Sequence, residues 1–339
     1  MILGPAPQVV PIAEAPSECR PAHVPSASIR DTVFVFPGRV SQWSGTAAEL
    51  LDSSTVFADQ IRLCDAAFAE FVDWSVFDAV RGGITRLDPI DREQPLLFAL
   101  AVSLAAHWRA LGFGPDAVVG HSQGEIAAAY VAGALSLRDA ATVVTSRIDA
   151  ITAIAGTGGM ATVRLPIDAV ATLLARWRGA IYIAAHNGPS SIEVSGDAGA
   201  IDEFVAVCQQ DEVPVRRIPV DYAAHSPHVD AVWDTVREAL SGLRPRTRDT
   251  VYISAVTGAG LDTSILDGDY WFANIRQPVL FDQAVRWSWE HGYRTFIESS
   301  PHPVLSADIA EAVEDYRRDR CTASQRAHDR RELRGQRLR

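Results

Sequence analysis

The hexapeptide Gly120-His121-Ser122-Gln123-Gly124-Glu125 constrains this chain more than any other stretch. It follows the short apolar run Asp116-Ala117-Val118-Val119 and precedes an Ala-rich, helix-favouring run from Ile126 to Ala134. Ser122 therefore sits where a strand turns sharply into a helix, the Gly-x-Ser-x-Gly nucleophile elbow. A Cβ at either glycine would crowd a turn whose strained backbone pushes the serine hydroxyl out of the sheet. At the start of the following helix, backbone N–H groups and the dipole favour negative charge, which suits an oxyanion forming beside the serine.

A chain of 339 residues has room for two domains, or for one domain carrying an insertion. No apolar run approaches the roughly 20 residues that a membrane helix needs. Met1-Ile2-Leu3-Gly4-Pro5 lacks the basic start and apolar core of a signal peptide, so the expected location is cytoplasmic. Cys19, Cys64, Cys208 and Cys321 lie far apart without a Cys-x-x-Cys pair, and neither disulfides nor a structural metal are expected. The net charge of −11 is uneven: Arg317 to Arg339 holds nine arginines against Asp319, Asp329 and Glu332, which leaves −17 for the rest. An acidic body argues against nucleic-acid binding, and the basic end reads as a solvated tail.

Residues 1–30 contain six prolines and little apolar periodicity, and read as a linker or extended arm. Thr32 to Phe36 is a compact β-branched and aromatic run ended by Pro37-Gly38, a buried first strand leading into a loop. Helical patterns run from Ala47 to about Val80, from Gln94 to Leu111, and from Ser136 to Ile154. Beyond Gly156-Thr157-Gly158-Gly159 the texture changes to strand, helix, strand, strand, helix, strand as far as Ile218, the split β-α-β order of a ferredoxin-like unit. A helix from about Val229 to Ser241, a strand at Val251 to Ser254, a segment from Trp271 to Val279, a helix near Phe281 to Glu290 and a strand at Arg294 to Glu298 follow. The alternation predicts an α/β fold around a parallel sheet. The expected division is an arm (1–30), a large subdomain (31–154 and 222–312), an inserted small subdomain (155–221) and a basic tail (313–339). There is no Gly-x-Gly-x-x-Gly or Walker-type loop for a nucleotide.

The elbow, Gln94-Pro95, Arg147, Gly156 to Met160, Asn187-Gly188-Pro189, Val194 to Asp197, Tyr222 to Pro227, Asn274 with Arg276 to Val279, and Ser300 to Leu305 occur in an order that resembles one family. It is the acyltransferase domain of modular type I polyketide synthases, within the malonyl-CoA:acyl carrier protein transacylase family. The resemblance covers about residues 32–310. It implies an α/β-hydrolase-like core with a ferredoxin-like insert. It also implies a Ser-His dyad: Ser122 as nucleophile toward an acyl-CoA, His225 as general base, and an acyl ester handed to the phosphopantetheine thiol of an acyl carrier protein. The histidine ring would be held by a backbone carbonyl from the segment between Asn274 and Phe281. Asp149, Asp168 and Asp211, the unmatched acids between serine and histidine, read as solvated charges. No bound cofactor or metal is implied, nor a nucleic-acid or membrane partner.

Arg147 stands 25 positions after the nucleophile. The resemblance makes it the partner of a free carboxylate on a malonyl-type acyl group, a task that suits a planar guanidinium fork. Gln123, Tyr222, Ala224 and Gln94 are the expected lining for the acyl side group. Members choosing methylmalonyl typically show Tyr-Ala-Ser-His and Gly-His-Ser-Gln-Gly, whereas malonyl-selective ones show His-Ala-Phe-His. Here Tyr222 and Gln123 match the first pattern, while Ala224 departs from its serine but is still a small residue in place of Phe. The resemblance also places the oxyanion hole on the backbone N–H groups of Gln123 and Arg39. Arg39 and Val40 stand where the family has glutamine and glycine, so a slow transferase is expected. Two other readings remain at this level: a hydrolase of acyl thioesters using the same dyad, and a catalytically weak docking module for a carrier protein. The Pro-rich beginning and the stop soon after Val304-Leu305 lead to the expectation of a fragment of a multidomain chain or a divergent stand-alone enzyme.

Overall fold

The structure is a computed structural model describing residues 9–11, 31–39, 46–82 and 90–320. Most of the Pro-rich arm, the loop from Val40 to Trp43 and the tail beyond residue 320 lie outside the described residues. The chain opens with β1 (Val9–Pro11), β2 (Thr32–Phe36), α1 (Thr46–Ser53), α2 (Thr55–Phe68), α3 (Val76–Arg81), α4 (Ile90–Ala110), β3 (Ala117–Gly120), α5 (Gly124–Val131) and α6 (Leu137–Ala153). A smaller unit follows: β4 (Gly158–Val163), α7 (Ile167–Leu174), β5 (Ile181–Gly188), β6 (Ser191–Asp197), α8 (Ala198–Gln210) and β7 (Val215–Ile218). The chain returns as α9 (Trp233–Ala239), β8 (Val251–Ser254), β9 (Ala259–Leu261), α10 (Gly268–Arg276), α11 (Phe281–Glu290), β10 (Thr295–Glu298) and a helix over residues 306–320, α12.

The larger sheet has the order β1-β10-β2-β3-β8-β9. Its four inner strands run parallel, and β1 and β9 close the edges antiparallel. Helices cover both faces, which is why β2 and β3 read as continuous apolar runs. Phe34, Phe36 and Val118 enter one core cluster, while Val33, Val35, Ala117 and Val119 enter the other. The smaller sheet, β5-β6-β4-β7, is antiparallel throughout, with α7 and α8 packed on one face through Val170, Leu174, Ile201 and Phe204. This is the parallel α/β sheet and ferredoxin-like insert expected from the element pattern, in the α/β-hydrolase-like arrangement that the resemblance implies.

Main-chain hydrogen bonds sew the rim of the small sheet to the large subdomain. Beyond the irregularity at Ile183/Ala185, the edge strand β5 pairs with the segment after α10. There the Val279 amide donates to the Ala184 carbonyl at 2.9 Å and the His186 amide to the Val279 carbonyl at 2.8 Å.

Several element limits differ from those predicted. The single helical pattern from Ala47 to Val80 is three helices, restarted where the Ser54 and Ser75 side chains accept the amides of Phe57 and Asp78. The segment expected to begin at Trp271 is helical from Gly268, capped by Asp267. The helix expected from Val229 opens as a 3-10 turn, Pro227–Val232. The tail expected from residue 313 is helical as far as 320, because Ile309, Ala312 and Val313 bury against the sheet. Val9–Pro11 of the arm forms an edge strand on β10. No helix among the described residues is long and apolar enough to cross a membrane.

Candidate active site

Ser122 takes φ 54°, left-handed and costly for a residue with a side chain, and so projects its hydroxyl from the end of β3. The turn is held from both sides. A Cβ on Gly120 would lie 2.1 Å from the Glu125 amide nitrogen, and one on Gly124 would lie 1.9 Å from the Phe36 carbonyl oxygen. The His121 amide donates to that same Phe36 carbonyl at 2.8 Å. The loop after β2 presses on the elbow, since a Cβ on Gly38 would be 2.5 Å from the His121 carbonyl oxygen and 3.5 Å from the Gln123 nitrogen. Gln123 is the N-cap of α5, at the end where amides lack intrahelical acceptors. Arg39 is thereby carried next to the serine, while Val40 lies outside the described residues.

The second left-handed residue at the site is His225, with φ 59°. Its amide donates to the Ile275 carbonyl at 2.8 Å, and its Nδ1 donates to the Gln277 carbonyl at 2.8 Å. With Nδ1 so occupied, the Nε2 lone pair faces the Ser122 hydroxyl at 2.8 Å. Burial, and then the nearby Arg147 cation, drive the imidazole well below its ordinary pKa against the opposing Gln277 carbonyl. The ring is therefore neutral at neutral pH. The holding carbonyl lies inside the expected segment, but it belongs to Gln277. Asn274 turns its side chain elsewhere.

Arg147, on α6, is only 5% exposed. Its Nη2 donates to the Ser122 hydroxyl oxygen at 2.8 Å and its Nη1 to Asn274 Oδ1 at 3.0 Å, while the buried Nε has no partner. Burial lowers its pKa to about 10, so it remains a cation at neutral pH. No ion pair to it is formed among the described residues. Asn274 donates from Nδ2 to the Ser122 carbonyl at 3.1 Å and to Glu125 Oε2 at 2.7 Å. Glu125 is fully buried and also accepts from the Ala255 amide and, at 2.9 Å, from the Tyr270 hydroxyl. Burial outweighs those donors and pushes its carboxyl up to about 7.

The expected side-group residues cluster around this centre. Gln123 Nε2 donates to the Gln94 carbonyl at 2.9 Å, and Gln94 keeps a buried, unpartnered Oε1. The Tyr222 phenol is pushed up by burial, against the charges of Arg39 and Arg147. Ala224 packs with Met160, Ala184 and Ile218 where the small sheet meets the large subdomain. The Arg39 guanidinium crosses the same gap to Met160 Sδ at 3.6 Å and Glu193 at 3.7 Å. Asn187, tied to His121 at 2.7 Å, also reaches Glu193. Asp149, Asp168 and Asp211 are exposed, as expected. Sequence reading missed the roles of Glu125, Tyr270, Asn187 and Glu193. Glu125 stood inside the elbow motif, and Asn187 in the quoted Asn-Gly-Pro.

Residues 33–333 match the acyl transferase domain family. The chain is 56% identical over 282 residues to mycoketide-CoA synthase of Mycobacterium tuberculosis (strain ATCC 25618 / H37Rv), an alignment covering 83% of this chain and 7% of that protein. It thus spans a small fraction of that relative's length. Its structure is similar to the acyltransferase domain from module 8 of the salinomycin polyketide synthase, with TM-score 0.81 and 48% identity over 85% of this chain and 68% of that one. It is also similar to a loading acyltransferase from the avermectin modular polyketide synthase, with TM-score 0.80 and 45% identity over 84% of this chain and 91% of that one. With a strand-to-helix serine paired to a buried neutral histidine, and a family match over residues 33–333, the chain belongs to the acyl transferase domain family and is an acyltransferase domain of the modular type I polyketide synthase kind.

Proposed function

We propose that this domain takes a dicarboxylic acyl unit of the malonyl type from CoA and passes it to the phosphopantetheine thiol of an acyl carrier protein. The observation that carries this reading is Arg147: a buried cation touching the nucleophile, with an unpartnered Nε and, among the described residues, no carboxylate paired to it. A buried charge without a counter-ion is expensive, and a substrate carboxylate supplies one.

In the first half-reaction Ser122 Oγ attacks the thioester carbon while His225 Nε2 takes its proton. The tetrahedral oxyanion is met by the backbone N–H groups of Gln123 and Arg39. The C–S bond then breaks, the imidazolium returns its proton to the CoA sulfur, and the acyl group stays on Ser122. The carrier thiol repeats the steps in reverse order of partners, with His225 as its base. Serine, histidine and backbone amides supply every group required, so the reaction needs no bound cofactor. Tyr222 and Gln123 favour a methyl-bearing extender, and Ala224 leaves room beside the α-carbon. Discrimination by one methyl group is worth only about 1–3 kcal/mol, so malonyl-CoA is a slower substrate, not an excluded one.

The test is acyl-enzyme formation measured by intact mass with methylmalonyl-, malonyl- and propionyl-CoA. The parent should favour methylmalonyl-CoA over both others. Arg147→Ala should lower the methylmalonyl/propionyl ratio of kcat/KM roughly a hundredfold, the loss expected for a two-pronged charged contact. A parent that prefers propionyl-CoA, with a ratio unmoved by the substitution, would refute the clamp.

A further inference from the structure

We propose that Glu125 is a positioning residue for the acyl carboxylate: acting through the Asn274 amide, it dictates which face of the guanidinium Arg147 presents to the substrate. The inference rests on the clamp reading above and adds to it the residue that aims the clamp.

A primary amide has one acceptor end and one donor end, and its orientation is set by whichever neighbour has no choice of role. Glu125 has none when ionised. Its four acceptor sites are surrounded by donors: the Ala255 amide at Oε1, and the Tyr270 hydroxyl and Asn274 Nδ2 at Oε2. The Val256 amide also acts on the same carboxylate. Asn274 must therefore turn its NH2 toward Glu125 at 2.7 Å, a direction in which the same NH2 also reaches the Ser122 carbonyl at 3.1 Å. That leaves Oδ1 pointing the other way, to receive Arg147 Nη1 at 3.0 Å. With Nη1 held by a neutral oxygen and Nη2 over the Ser122 hydroxyl, the guanidinium plane is fixed while its charge stays unneutralised. A carboxylate in place of the amide would fix the plane equally well, but would fill the position that the substrate needs.

Protonation of Glu125 does not undo the arrangement. The Tyr270 hydroxyl lies 2.8 Å from Ser254 Oγ as well as 2.9 Å from Glu125 Oε2. It is a donor near Glu125 whose hydrogen can rotate away. When Glu125 is protonated at Oε2, its new O–H donates to the Tyr270 oxygen, the Tyr270 hydroxyl donates to Ser254 Oγ instead, and Asn274 keeps its orientation.

The test compares kcat/KM for methylmalonyl-CoA and propionyl-CoA in the full chain for the parent, Glu125→Gln, Asn274→Ala and the double variant. In Glu125→Gln the Ala255 amide still claims the side-chain oxygen, so the new NH2 faces Asn274. The asparagine amide must flip and point its own NH2 at Arg147. The methylmalonyl/propionyl ratio should fall roughly tenfold, as for loss of one charged hydrogen bond, and mainly through KM for methylmalonyl-CoA. Asn274→Ala should lower the same ratio. Because Glu125 acts through Asn274, the double variant should be no worse than Asn274→Ala alone. A Glu125→Gln ratio equal to the parent's, or a double variant showing the product of both single losses, overturns the inference while leaving the Arg147→Ala result to judge the clamp separately. If Glu125→Gln is recovered unfolded, the polarity-swapped pair Glu125→Gln with Asn274→Asp lets the amide donate and the carboxylate accept. Refolding with a collapsed ratio supports the inference; failure to refold sinks it.

Discussion

A histidine serves as a base only while its ring is neutral, and at His225 the environment enforces that state. Burial and the Arg147 cation both depress the imidazole pKa, and only the Gln277 carbonyl resists. The acid limb of kcat/KM, which reports the free enzyme, should therefore lie below the ordinary histidine range, leaving the profile flat from about pH 6.5 upward. Arg147→Ala removes a depressing charge, so its acid limb should move toward neutrality. A limb unshifted or displaced to lower pH in that variant would show that His225 is not the titrating base. Ser122→Ala should abolish the acyl-enzyme mass shift without changing the thermal midpoint, because the smaller side chain fits an elbow that burial elsewhere holds together. These side chains were legible because motif spacing marks them. Gln277 was not, because it acts through a main-chain carbonyl, which any residue type supplies. Nor was the Glu125–Tyr270 contact, whose partners lie 145 residues apart and meet only through sheet topology.

The elbow as an element tolerates almost no added volume. Gly124→Ala would drive a methyl group to 1.9 Å from the Phe36 carbonyl oxygen, which is backbone at the end of a central strand and also holds the His121 amide. We expect loss of more than 3 kcal/mol, on the scale of severe overpacking in a core, or no recoverable folded protein. Urea denaturation of the purified variant checks this, and a midpoint equal to the parent's would show that β2 can shift. The glycines that enforce this turn were readable in the sequence because only one residue type fits. Helix interiors were readable too, through their apolar period. The limits at Ser54 and Ser75 were passed over because a serine inside a periodic run announces a cap only when its oxygen meets an amide three residues on, as Ser54 does with Phe57. β9 contains a glycine and no alternating pattern, and takes its strand form from β8.

At the scale of the whole molecule, Glu125 leaves a signature in stability. Its carboxyl titrates near 7 in the folded state against 4.5 ordinarily, so between those values the folded protein retains a proton that the unfolded chain has released. Stability is then highest at the acid end of this window, falls as pH rises toward 7 and levels off above, a change on the order of 3 kcal/mol. Urea midpoints from pH 5 to 7.5 for the parent minus those for Glu125→Gln isolate the contribution, and parallel curves would contradict it. The division into a large sheet and a small antiparallel one was visible as a change of texture near Gly156. The main-chain seam between them was not, because its hydrogen bonds join main-chain atoms of β5 to Val279 and carry no side-chain code.

That seam bears on how such domains can be recombined. Val279 is two residues from Gln277, whose carbonyl grips the catalytic imidazole, and it is knitted on both its amide and its carbonyl to the rim of the small sheet. A graft that exchanges only residues 158–218 with a relative would bring a foreign rim against a native fastening, and the misfit would arrive at the histidine before it reached the substrate. The heritable unit for swapping specificity is thus discontinuous, the small lobe together with the stretch from Asn274 to Phe281, and chimeras cut inside it should lose turnover even where every pocket residue has been copied faithfully.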